Sequence, residues 1–160
     1  MDCSTLWTRR PEAFQEAFAL VPDYLAKTDD AVDLKDYGPA LGRRFRALKL
    51  WAVLRWYGAE GLRELIREHV RLAQLFASWV EAEPGWEVAA PHPFSTVCFR
   101  HLEVDNDRLA REATATGEVF VAATRLNGKA AIRLAIGNAR TTEDDIRRSW
   151  EVLRQCAPTR

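Results

Sequence analysis

Residues 41–82 limit what this chain can fold into more than any other stretch. The segment LGRRFRALKLWAVLRWYGAEGLRELIREHVRLAQLFASWVEA carries two apolar series, separated by Gly58 and Gly61. In the first, Phe45, Leu48, Trp51, Ala52, Leu54 and Tyr57 recur at three- and four-residue steps, which stacks them on one face of a helix. In the second, Leu62, Leu65, Ile66, Val70, Ala73, Phe76, Trp79 and Val80 repeat the pattern. Pro39 suits a helix entry, and Gly58 suits an exit through a left-handed turn. Trp51 and Trp56 do not share one narrow stripe, so the first helix is expected to be covered on more than one side. It reads as a connector between two bodies.

The segments around this pair differ in self-sufficiency. Residues 1–40 hold a short helical run with Phe14 and Phe18 at i, i+4, stopped by Pro22, and a polar, acidic loop from Thr28 to Pro39. They have too few apolar residues for a core and read as the remnant of a larger unit. From residue 83 the period changes. Trp86–Ala90 and Ser95–Arg100 read as strands around Pro91-His92-Pro93, and Asp105 or Asn106 caps a helix ended by Gly117. Val119–Thr124 is a strand by composition. Asn127-Gly128 marks a tight hairpin, because both residues tolerate positive φ. Ala130, Ile132, Leu134 and Ile136 then alternate with Ala131, Arg133 and Ala135. Thr142 and Asp145 have the spacing of a capping box, and Ile146, Trp150 and Leu153 form the inner face of the last helix. The expected organisation is a remnant over 1–40, a connector helix pair over 41–82, and a small α+β domain over 83–160. Its order is ββαββα, an antiparallel sheet with helices on one face.

Composition excludes some functions. Lys+Arg and Asp+Glu balance at 23 each, which argues against a nucleic-acid surface. No apolar run approaches the ~20 residues of a membrane span. Three cysteines, Cys3, Cys98 and Cys156, have no motif spacing and read as reduced thiols of a cytoplasmic protein, Cys98 being a packing residue in its strand. His69, His92 and His101 share no metal-ligand spacing. Gly58, Gly61 and Gly137 do not form a phosphate loop. Glu64 with Arg67, and Glu68 with Arg71, are expected as ion pairs on a solvated helix face. The cluster Arg43-Arg44-Phe45-Arg46, with Lys49, opens a helix, where cations oppose the helix dipole. It reads as an interface cluster, or more sharply as an anion contact.

The stretch LGRRFRALKLW followed by GLRELIREHV resembles the aromatic branch of the pyridoxal-phosphate-dependent amino-acid decarboxylases. Met1-Asp2-Cys3-Ser4, Leu6-Trp7, Val21-Pro22-Asp23-Tyr24-Leu25, Val97-Cys98-Phe99-Arg100 and Leu134-Ala135-Ile136 extend the likeness over nearly the whole chain, but over only the C-terminal part of the family's length. The resemblance implies the small domain of a fold-type-I enzyme, with pyridoxal phosphate as cofactor, an aromatic L-amino acid as substrate, an N-terminal part of the enzyme as partner, and a homodimer. It implies a catalytic role for Tyr24, as proton donor to the α-carbon from a mobile loop once CO2 has left.

The family's Schiff-base lysine lies in a His-Lys-Trp context shortly before an Asp-Cys-Ser. The lysines here are Lys27, Lys35, Lys49 and Lys129, none in that context. No cofactor-binding residue is therefore assigned in this chain, which is expected to be inactive alone. The alternative is a non-catalytic ligand-binding or interaction module.

Overall fold

The structure is a computed structural model that describes residues 6–18, 34–39 and 44–157. The chain divides into two compact units, 1–58 and 59–160.

In the first unit, helix α1 spans Pro11–Phe18. Its Phe14 and Phe18 rings meet edge to face at 4.9 Å. Leu34–Tyr37, expected within a loop, form a 3-10 turn, and Tyr37 lies against Phe14 with centroids 6.5 Å apart. The unit also contains the first half of helix α2, which spans Arg46–Ala82 and is broken at Gly58 (φ 65°, ψ 178°). That φ is positive, as an ending glycine requires, but the ψ is extended, so the break is not the left-handed helical turn expected. Gly61 lies inside the second half of α2 and interrupts nothing.

The second unit contains residues 59–82 of α2, then β1 (Trp86–Val88), β2 (Thr96–His101), α3 (Asn106–Ala115), β3 (Ala122–Leu126), β4 (Lys129–Ala135) and α4 (Glu143–Cys156). Among the described residues the strands form one antiparallel sheet, in the order β1-β2-β4-β3. Val97 and Phe99 pair with Leu134 and Ile132, and all four side chains are buried on the helix-bearing face. Leu72, Phe76 and Val80 of α2, Leu109 and Ala113 of α3, and Ile146, Trp150 and Leu153 of α4 close the same core. The core of the second unit therefore includes side chains of the 59–82 helix. Phe76, Trp86, Phe99 and Trp150 form its aromatic centre, with centroid separations of 4.9 to 6.0 Å.

Local signals account for the connections. Asp105 caps α3 by accepting from the N–H groups of Asp107 and Arg108. The neighbouring Asn106 is buried instead, donating to the His101 and Val104 carbonyls and accepting from the His101 N–H. Thr142 and Asp145 form a reciprocal capping box at the start of α4. Glu68 pairs with Arg71, as expected, and Arg71 also reaches Glu143 of α4. Glu60–Arg63 forms in place of the expected Glu64–Arg67 pair.

Candidate functional site

Tyr24, the proton donor expected from the sequence, lies outside the described residues, as do Cys3, Lys27 and Arg43. The described tyrosine nearest to it in sequence is Tyr37, whose hydroxyl accepts a hydrogen bond from the Gln15 amide at 2.5 Å. Of the basic cluster, Arg44 precedes α2, Arg46 opens it and Lys49 lies in its first turns, all exposed.

The three histidines do not come together. His69 is buried on α2, with Nε2 3.1 Å from the Asn138 carbonyl oxygen. His101 ends β2; its Nδ1 accepts from the Glu103 N–H, and its ring packs on Trp86. His92 lies in the β1–β2 loop, with a buried Nδ1 that has no hydrogen-bond partner. Among the described residues no group of three His, Cys, Asp or Glu side chains is arranged to hold a metal. An open cleft of about 720 Å³ runs between Glu83–Trp86, His101–Val104 and the end of α4, with Glu83, Glu103, Glu151 and Arg154 on its walls.

Helices cover one face of the sheet. The opposite face is built from Glu87 on β1, Thr96, Cys98 and Arg100 on β2, and Ala131, Arg133 and Ala135 on β4, as the alternation and register require. Cys98, half-buried, is therefore on the face away from the main core. Arg100 is the chemically unusual residue of this face. Its side chain is only 17% exposed, it sits directly opposite Glu87 across the β1–β2 pair, and its Nε donates to Glu87 Oε1 at 2.5 Å. Its Nη1 is buried with no acceptor. A buried donor left unpaired carries its desolvation cost without return. Glu87 occupies the Nε edge of the guanidinium, and the chain itself shields Nη1 from solvent. The sequence places both Glu87 and Arg100 in strands, but their pairing depends on the register of β1 against β2, which short-range patterning does not define.

Lys49 and Lys129 are exposed.

Comparison with known proteins places this arrangement. The pyridoxal-dependent decarboxylase conserved domain matches residues 1–102. Tyrosine decarboxylase 2 of Arabidopsis thaliana is 39% identical over 97% of this chain and 31% of its own length. Phenylacetaldehyde synthase of Arabidopsis thaliana is 36% identical over 96% of this chain and 34% of its own length. Among solved structures, the tryptophan decarboxylase of Catharanthus roseus in complex with L-tryptophan superposes with a TM-score of 0.76 and 34% identity, covering 93% of this chain and 32% of that one. The chain thus spans about a third of the length of the curated relatives it matches.

Proposed function

The chain belongs to the pyridoxal-dependent decarboxylase family, and from that membership we propose that it is the C-terminal part of an enzyme that converts an aromatic L-amino acid to its amine and CO2. The observation that carries this reading is its likeness, over nearly its whole length, to a tryptophan decarboxylase solved with L-tryptophan. In the complete enzyme, a homodimer, the cofactor would supply the electron sink for loss of the α-carboxylate. The Schiff-base lysine and phosphate cradle belong to the part of the family fold outside this segment, so residues 1–160 alone are inactive. The finer plan of a fold-type-I small domain, ββαββα with its helices on one face, belongs to the same proposal.

One side chain of this segment has a role in the proposed reaction. Tyr24 delivers a proton to the α-carbon after CO2 has left, the role that general acid catalysis gives to a hydroxyl held near the reacting carbon. Tyr37, whose hydroxyl is held by Gln15, is the comparison for that assignment.

The test is made on the complete enzyme loaded with cofactor. Release of CO2 and amine from L-tyrosine or L-tryptophan, with none from L-glutamate, is expected. A preference for L-glutamate, or no CO2 release from any amino acid, overturns the reading. Tyr24→Phe should lower amine formation by about 10²–10⁴-fold, the usual worth of general acid catalysis. If Tyr37→Phe has that effect and Tyr24→Phe does not, the proton donor is Tyr37.

A further inference from the structure

Among the described residues, every buried hydrophobic side chain lies in the second unit, from Leu72 to Ala157. The first half of α2 is the reverse. At helical spacing its apolar residues fall into two stripes, Leu48-Ala52-Trp56 and Leu50-Leu54-Tyr57, on opposite sides of the helix. Both stripes reach solvent: Leu48 is 53% exposed and Trp56 83% in the first, Leu54 48% and Tyr57 38% in the second. A helix that is apolar on opposite sides belongs inside a larger body, because one flat partner covers only one of them.

The charges on this stretch restrict the partner further. Residues 41–59 contain Arg43, Arg44, Arg46, Lys49 and Arg55, and no aspartate or glutamate. A two-fold contact with a second copy sets a patch against itself. Here it would bring cations together without a counter-charge, and like charges across an interface cost binding free energy. The surface that fits is apolar at its centre and carries carboxylates at its rim. The polypeptide has room for such a body, since this segment spans about a third of the length of its curated relatives. The conserved domain of the family also includes the whole of 45–57.

We infer that residues 45–57 are a docking surface for the part of the same polypeptide that lies outside this segment, and that this part meets them with apolar side chains rimmed by aspartate and glutamate. The inference rests on the reading of this chain as the C-terminal part of a longer enzyme. It assigns the cover of Trp51 and Trp56 to the same chain and not to a second copy.

The complete enzyme is prepared with a photoreactive benzoylphenylalanine in place of Trp51 and, separately, of Trp56, then irradiated. At both positions the product should keep the mass of a single chain, and its cross-linked peptide should come from the part of the chain that precedes this segment. A product of doubled mass, or a cross-linked peptide from within residues 1–160, overturns the inference. No cross-link at either position leaves the helix in solvent and overturns it as well. Cross-linking reads contact and not turnover, so a complete enzyme that releases no CO2 from an aromatic amino acid refutes the proposed activity and not this interface.

A charge reversal tests the rim. Lys49→Glu puts an anion near the start of α2, which the helix dipole by itself favours. The melting temperature of the complete enzyme should nonetheless fall, and fall less at high ionic strength, where charge interactions are screened. An unchanged or raised melting temperature overturns the carboxylate-bearing partner.

Discussion

Phe76 and Trp150 meet edge to face, with ring centroids 5.6 Å apart and planes inclined at 86°. This contact ties the second half of α2 to α4. Phe76 is fully buried and also packs on Phe99 of β2, so three elements converge on one ring. Phe76→Ala should destabilise the second unit by about 3–5 kcal/mol, as truncations of buried aromatics do. Phe76→Leu should cost less, since more of the cavity is filled. Chemical denaturation followed by tryptophan fluorescence measures both, Trp86 and Trp150 being the adjacent reporters.

The same contact fixes where an independent folding unit must begin. A piece starting at Trp86 lacks Leu72, Phe76 and Val80, and should show no cooperative unfolding transition. A piece covering 59–157 retains the whole core and should unfold in one step. Amide dispersion in two-dimensional NMR of the two pieces decides the matter.

The capping box of α4 predicts a pH effect. Asp145 accepts from the Thr142 N–H and hydroxyl, both at 2.8 Å, and these bonds, the backbone one first, hold its carboxyl below the usual aspartate range. A lowered folded-state pKa gives stability that is present above the unfolded value and lost as pH falls through the folded one. Thermal melts of the wild type and Asp145→Ala should therefore differ at neutral pH and converge in acid. Thr142→Ala removes the hydroxyl that caps Asp145 N–H and should cost about 0.5–2 kcal/mol at neutral pH.

The apolar face of residues 45–57 is uncovered among the described residues. Trp56 is 83% exposed, and Phe45, Leu48, Trp51 and Leu54 are about half exposed or more. The sequence led to the expectation that this helix is covered on more than one side, and nothing described in this chain covers Trp51 or Trp56. Contiguous apolar surface of a few hundred Å² or more promotes association. The isolated chain should self-associate at micromolar concentration in sedimentation experiments. Leu48→Glu combined with Trp51→Glu should shift it toward monomer while leaving the melt of the second unit unchanged.

The isolated chain should also release no CO2 from L-tyrosine or L-tryptophan when pyridoxal phosphate is added, and should bind the cofactor no more tightly than a surface lysine does. Robust turnover would mean that residues within this segment complete the site. A rise in melting temperature with an aromatic amino acid and no cofactor would favour the ligand-binding module instead.

What was legible in the sequence is local. The Thr142–Asp145 box follows from a short spacing and forms as read, and of the two cap candidates Asp105 and Asn106 it is Asp105 that caps α3. The Asn127-Gly128 turn has φ values of 52° and 76°, as its sequence requires. That turn also explains an error of register. Composition puts a strand over Val119–Thr124, whereas a two-residue loop pairs Leu126 with Lys129 and counts back to Ala122 opposite Arg133. Val119 and Val121 are instead buried outside the strand, where their apolar character serves the core and not the ladder. The 3-10 turn at Leu34–Tyr37 was hidden by the polar residues around it. Arg100 was passed over because nothing in Val97-Cys98-Phe99-Arg100 says that its guanidinium will be buried. That depends on Glu87, thirteen positions away across a strand pair.

Gly58 also bears on how this chain could be altered. A β-carbon at that position would meet no atom within 4 Å, so crowding places no limit on what stands there. The constraint is handedness. A φ of 65° with ψ near 180° is a conformation that an L-residue adopts at a cost of about 1–3 kcal/mol, and that its mirror image adopts at ease. A D-alanine installed at position 58 by chemical ligation would keep the break and remove the freedom of glycine in the unfolded chain, whereas L-alanine would strain it. The break in α2 is thus set by the handedness of a single α-carbon, and it can be altered there without crowding any neighbouring atom.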